Sequence, residues 1–194
     1  HEHKSLAKAG GAATTCANCH LREKFATPSH HFHTEGKPGS ACVDCHMPTR
    51  NYMVVHARRD HSIRVPRPDL TLSIGSPNAC NGCHADKDAR WATDHAAKWW
   101  PAVATRPHYG TAIDAGRKGA PGAGRALVAL MADAKTPAIV RGTAAMLLGR
   151  NAGPDTVGAL GTAALDADPL VRRGAVEGAA ALPPAARWRL VGGL

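Results

Sequence analysis

Three pentapeptides constrain what this chain can fold into: Cys16-Ala17-Asn18-Cys19-His20, Cys42-Val43-Asp44-Cys45-His46 and Cys80-Asn81-Gly82-Cys83-His84. Each spells Cys-x-x-Cys-His, the pattern of a c-type haem attachment site. In such a site two thiols form thioether links to the porphyrin and the adjoining imidazole binds its iron. All 6 cysteines of the 194 residues fall inside these segments, so none is left for a disulfide or a nucleophile. Paired cysteines also build zinc ribbons, and the 22 residues between Cys19 and Cys42 approach a zinc-site spacing. Zinc, however, wants four ligands in one place and gives no reason for a histidine after every pair. A thioredoxin-like redox pair would need a βαβ context, which the sequence lacks. The pattern therefore predicts three c-type haems. Cys16, Cys19, Cys42, Cys45, Cys80 and Cys83 are the expected covalent anchors, and His20, His46 and His84 the expected proximal iron ligands.

Composition changes along the chain. Residues 1 to about 90 hold every cysteine and 10 of the 12 histidines, with many Pro, Asn, Asp and Thr between them. Short helices and long irregular connections wrapped around haem are expected there, because porphyrin supplies apolar surface that the chain does not. A helix is predicted from Lys87 to Trp100, stopped by Pro101, with Trp91, His95 and Trp99 at i, i+4 and i+8 on one face. Residues 101–122 carry Pro101, Pro107, Gly110, Gly116, Gly119, Pro121 and Gly122 and read as a linker. From 123 to 194 the chain is rich in Ala, Leu, Val and Gly with helical periodicity. Pro137-Ala138-Ile139-Val140-Arg141-Gly142-Thr143-Ala144 is echoed by Pro169-Leu170-Val171-Arg172-Arg173-Gly174-Ala175-Val176. Two such units suggest HEAT-type helical repeats, with a plain Ala-rich bundle as the alternative. The expected fold class is thus mainly α: a loop-rich three-haem cytochrome domain over 1–100, a linker, and a HEAT-like domain over 123–194. Repeat surfaces of this kind bind proteins, so the second half is expected to dock rather than catalyse.

Charge and hydropathy narrow the partners. The formal charge of +9 counts protein alone. Two propionates and one net positive iron core per haem would remove roughly 3 units, and full reduction roughly 3 more. The surface stays mildly basic, which favours acidic protein partners or anionic lipid. Nucleic acid is not an expected partner, since Lys and Arg are dispersed and only 8 Phe, Trp and Tyr accompany them. No apolar run approaches the length of a membrane span. His1-Glu2-His3-Lys4 leads into no apolar signal region, so the simplest expectation is a periplasmic or otherwise extracytoplasmic chain with its leader removed.

The middle of the chain also carries a family resemblance. Pro28-Ser29-His30-His31-Phe32-His33, Cys42 to Thr49, Tyr52-Met53-Val54-Val55, Arg58-Arg59-Asp60-His61-Ser62, Arg64 to Leu70 and Ser76 to Asp86 together resemble a group of bacterial multihaem cytochromes c. The likeness covers roughly residues 14–100. It implies covalent c-type haems and a following segment of tetratricopeptide or HEAT-type helices.

Nine histidines remain as candidates for the second axial position. The resemblance favours His61, whose neighbour Asp60 would orient the imidazole. It also favours His3, ahead of the first motif, where the family tends to carry a ligand. The cluster His30-His31-Phe32-His33 should supply one or two more, and one helical turn would place His30 and His33 on the same side. His56 reads as a surface or propionate contact, His95 as packing against a porphyrin edge, and His108 as solvated. Met53 reads as an apolar packing residue rather than a soft ligand.

Axial ligation decides function. Irons with two protein ligands relay electrons, so the expectation is an extracytoplasmic electron carrier, not an enzyme. It would exchange electrons with redox partner proteins through the helical region, or serve as a subunit of a larger assembly. The alternative is a haem enzyme of the nitrite or hydroxylamine type with one open site. Tyr52, Arg58, Arg59 and His61 are the nearest thing to pocket chemistry for it.

Overall fold

A computed structural model describes residues 12–191. The described residues are mainly helical, and the chain divides into two compact units, His1–Arg106 and Pro107–Leu194.

The first unit is built from very short pieces: α1 (Ala12–Cys16), α2 (Arg22–Phe25), α3 (Pro28–His31), α4 (Cys42–His46) and α5 (Asp69–Ile74). Helices of four to six residues do not stand alone in water, so they hold only through what they pack on. The antiparallel hairpin β1 (Thr49–Tyr52) and β2 (His56–Arg59) pairs Thr49 with Arg59 and Tyr52 with His56. Its base is tied down by Arg59, whose guanidinium donates to Val43 O at 2.9 Å, Met47 O at 3.3 Å and the Asp44 carboxylate at 3.2 Å. The Asp60 amide closes the base on Pro48 O. One longer helix, α6 (Ala89–Trp99), opens at Asp88, whose carboxylate accepts from the Trp91 amide at 2.8 Å. The short α7 (Pro101–Ala104) follows. Among the described residues, buried apolar side chains are scarce in this unit: Pro68, Leu70, Ala92 and Ala96.

The second unit is a layered helical array: α8 (Tyr109–Lys118), α9 (Ala123–Ala132), α10 (Ala138–Leu148), α11 (Thr156–Ala164), α12 (Pro169–Ala180) and α13 (Pro184–Val191). Its core joins Leu127, Leu148 and Leu160, all 0% exposed, with Val171, Ala144, Ala145 and Ala175. α10 and α12, the helices that carry the echoed sequence, make the most extensive contact of the array. Their approach depends on glycine. A methyl group on Gly142 would meet Leu170 O at 2.5 Å, and one on Gly174 would collide with Gly142 O. Arg141 on α10 forms an ion pair with Asp166, and Arg172 on α12 donates to Asp166 O and Ala167 O at 2.8 Å.

The expectation of a linker over 101–122 is corrected. Pro101–Ala104 is helical within the first unit, and Tyr109–Lys118 is a full helix of the second, packed on α9 and α10. Gly116 is no breaker here: Leu127 reaches within 3.0 Å of where its Cβ would stand, and the Asn151 amide donates to Gly116 O. The true breaks are Gly119, at φ 64, and Gly122, at φ 79.

Gly174→Ala should cost about 1–3 kcal/mol, through forced separation of α10 and α12. Urea unfolding followed by circular dichroism checks this, and an unchanged midpoint would refute the close-packing account. Arg141 and the Asp168 amide, with the charge of Arg172, hold the Asp166 carboxyl below the usual carboxylate range. The stability this confers is present above the ordinary aspartate value of about 4 and fades as pH falls through the lower folded value. Asp166→Asn should flatten that part of the acid unfolding curve.

Candidate haem-binding site

A single helical turn shapes each Cys-x-x-Cys-His segment. The His20 amide donates to Cys16 O at 2.9 Å and the His84 amide to Cys80 O at 2.9 Å, while the middle segment is α4 itself. Residues at i, i+3 and i+4 share a helical face, so each turn presents two thiols and one imidazole to the same side. That donor set fits a porphyrin bound through two thioethers and one axial nitrogen. Among the described residues, no three His, Cys, Asp or Glu side chains converge as they would around a bare ion.

The three turns lie side by side in chain order. α1 packs on α4, and the Cys16 thiol is pushed up by burial and by the Cys42 thiol, with which it hydrogen-bonds. The Cys45 thiol is pushed up to about 11, by burial first and then by Cys80, Asp44, Cys83 and Cys42 close by. The second motif thus packs on the first, and its Cys45 thiol also senses the thiols of the third.

Across from the motifs stand the clustered histidines. The ring centroids of His30 and His46 are 6.3 Å apart with planes at 8°, and those of His33 and His84 are 6.1 Å apart at 36°. Each pair sets a clustered histidine beside the histidine of a Cys-x-x-Cys turn, and imidazole nitrogens are the donors that would hold a haem iron.

Hydrogen bonds assign the tautomers. His46 Nδ1 donates to Arg64 O at 2.8 Å, and His33 Nδ1 donates to His31 O. A carbonyl only accepts, so the proton sits on Nδ1 and Nε2 keeps its lone pair for iron. His31 is the opposite case. It is 9% exposed and its Nδ1 accepts from the His33 amide at 3.2 Å, so its proton sits on Nε2 and the ring has no lone pair to offer there. Burial and the neighbouring His46 and His31 hold the His30 imidazole below its ordinary pKa, toward the neutral form that ligates.

One helical turn does not carry His30 and His33 to the same side. Phe32, at φ 54, ends α3 in the left-handed region, so His33 leaves the helix direction and faces His84 while His30 faces His46. His61 follows β2, and its Nδ1 donates to Arg59 O at 2.8 Å. Asp60 is engaged elsewhere: its carboxylate accepts from the Ser62 amide at 2.9 Å and hydroxyl at 2.6 Å. The orienting acceptor for His61 is thus a backbone carbonyl rather than that carboxylate. His3 lies outside the described residues. His56 is exposed on β2.

Aromatic rings fill the space between the histidines. Phe25 meets His20 at 5.6 Å and His30 at 5.3 Å, both edge-on. Trp91 lies 4.8 Å from His84 and 4.3 Å from His95, and Trp99 lies 5.4 Å from His95, as the i, i+4, i+8 pattern requires. Phe32 stacks on Trp99 at 4.6 Å and meets Trp100 at 5.5 Å. The sequence offers no signal for the roles of Phe25, His31 or Arg64 O, since each depends on backbone direction.

A cleft of about 800 Å³ opens between the hairpin base and the third motif, lined among others by Arg50, Arg59, Asn78, Asn81 and Cys83. That volume suits a cofactor, and the arginines suit propionates. Arg59 lines it, whereas Tyr52, Arg58 and His61 do not. The four residues noted for acid-base chemistry are therefore not gathered around this cleft.

No protein-family model, curated protein or solved structure matches this chain.

On haem loading, His30→Ala and His33→Ala should each convert one haem in three to a high-spin form, whereas His31→Ala should leave all three low-spin. Electron paramagnetic resonance of the oxidised protein separates these outcomes. A high-spin signal from His31→Ala alone would reverse the tautomer assignment.

Proposed function

We propose that this chain is an extracytoplasmic electron-transfer cytochrome of the bacterial multihaem kind, with three covalent c-type haems. Cys16 and Cys19, Cys42 and Cys45, and Cys80 and Cys83 anchor them, with His20, His46 and His84 as proximal ligands. Bound haem supplies reversible one-electron exchange at iron. The observation that carries the reading is the pairing of His30 with His46 and of His33 with His84 at 6.3 and 6.1 Å. Where two imidazoles would hold one iron, no position would be left for a substrate, which favours relay over catalysis at those two centres. His61 and His3 remain candidates for a further distal ligand.

The scarcity of buried apolar side chains in the first unit supports the same reading. A polypeptide with so little core of its own is suited to wrapping apolar cofactors. The protein's remaining tasks are then to orient His33, His46 and His61 through backbone carbonyls and to set the polarity around each centre.

For the second unit we propose a HEAT-like repeat array that docks the cytochrome to a redox partner or a larger assembly. The packed pair α10 and α12, their glycine contacts and the Arg141–Asp166–Arg172 ladder support the repeat. Exposed Ile139, Leu165, Val176 and Trp188 offer contact surface. Among the described residues no helix is long and apolar enough to cross a membrane.

The visible spectrum of the dithionite-reduced protein, before and after carbon monoxide, tests the function. Three six-coordinate irons should leave a low-spin c-type spectrum unchanged. A Soret shift equal to one haem in three would establish an open site and put the nitrite or hydroxylamine type of chemistry first.

A further inference from the structure

We propose that the tip of the β1–β2 hairpin docks this protein onto an anionic lipid surface. The tip is Met53-Val54-Val55, exposed to 74%, 85% and 76%, on a ribbon whose two strands are exposed along their whole length. Its backbone makes the choice of residues unusual. Met53 sits at φ 48 and Val54 at φ 70. The Val55 amide donates to Met53 O at 2.8 Å in a tight turn centred on Val54, where a positive φ is a steric outlier for a β-branched side chain. The chain bears backbone strain in order to hold three apolar side chains in water, which points to a use for them outside the fold.

Charge identifies the surface. The segment 49–59 carries Arg50, His56, Arg58 and Arg59, and no acidic residue stands between Asp44 and Asp60. Arg59 is occupied at the base and Arg50 reaches Asp60 only at 3.9 Å. The Arg58 guanidinium lies 5.1 Å over the Tyr52 ring, which sets a cation and an amphipathic aromatic side by side just behind the tip. An apolar wedge backed by Tyr and Arg is the arrangement that settles at a lipid headgroup boundary, apolar atoms in the acyl edge and cations among the phosphates. A fluid bilayer needs no shape complement, whereas a protein partner would need a pocket matched to this tip. The anchored base keeps the wedge pointed outward as a rigid unit. Three side chains give reversible, salt-sensitive attachment rather than insertion.

Vesicle binding and haem ligation are read by separate measurements, so failure of this proposal would leave the haem reading intact. Co-sedimentation of the intact holoprotein with vesicles of phosphatidylglycerol and phosphatidylcholine, against phosphatidylcholine alone, tests it. At low salt, binding to the anionic vesicles should be at least tenfold stronger. Met53→Asn/Val54→Gly suits the positive φ values, so this variant should fold at least as well as the parent while losing at least tenfold in vesicle binding. Arg58→Gln should lose about fivefold. Equal binding of the turn variant and the parent would overturn the proposal, as would equal binding to neutral and anionic vesicles. Hairpin-dependent binding to a polyglutamate peptide without vesicle binding would overturn it in favour of an acidic protein.

Discussion

One helical turn, repeated three times, underlies the first unit. Closing the histidine amide on the carbonyl four residues back brings two thiols and an imidazole to one side of the chain. Everything else there is arranged around those faces: short helices, a pinned hairpin and a run of aromatic rings. The second unit has the opposite economy. It buries leucine, valine and alanine in continuous layers and brings two helices close enough that glycine is required at the crossing. The two halves thus differ in how much apolar surface their own side chains bury.

The histidine cluster shows how a small backbone event decides chemistry. His30, His31 and His33 differ little as residues, yet each has a separate task. Phe32 in the left-handed region turns the chain, so that neighbours in sequence face different motifs. The pair of hydrogen bonds between His31 and His33 then divides the rings into one that keeps its proton on Nε2 and one that frees it. Which ring keeps a lone pair on Nε2 depends on where a proton rests, and the proton is placed by a carbonyl and an amide rather than by charged partners.

Much of this was legible in the residues. The motifs announced their turns by spacing alone, the 91, 95, 99 face followed from helical period, and the echoed Pro-Val-Arg-Gly segments marked the two helices that pack. Local pattern sufficed wherever the controlling contact is within about a turn. It failed where direction matters. Glycine and proline between 101 and 122 looked like a linker, because spacing cannot distinguish a glycine that breaks a helix from one that lets Leu127 approach. It also failed at Asp60, whose carboxylate is adjacent to His61 in sequence but turns back on Ser62.

The side-by-side order of the three motifs has an electrical consequence if each carries a redox centre. The thiols of the middle segment sense those of both neighbours. An electron on one site repels an electron on the next through the low-dielectric interior. Chemically identical sites would then fill unequally: the ends first, the centre last. The second motif would act as a bridge that charge crosses, and the first and third as the places where it waits.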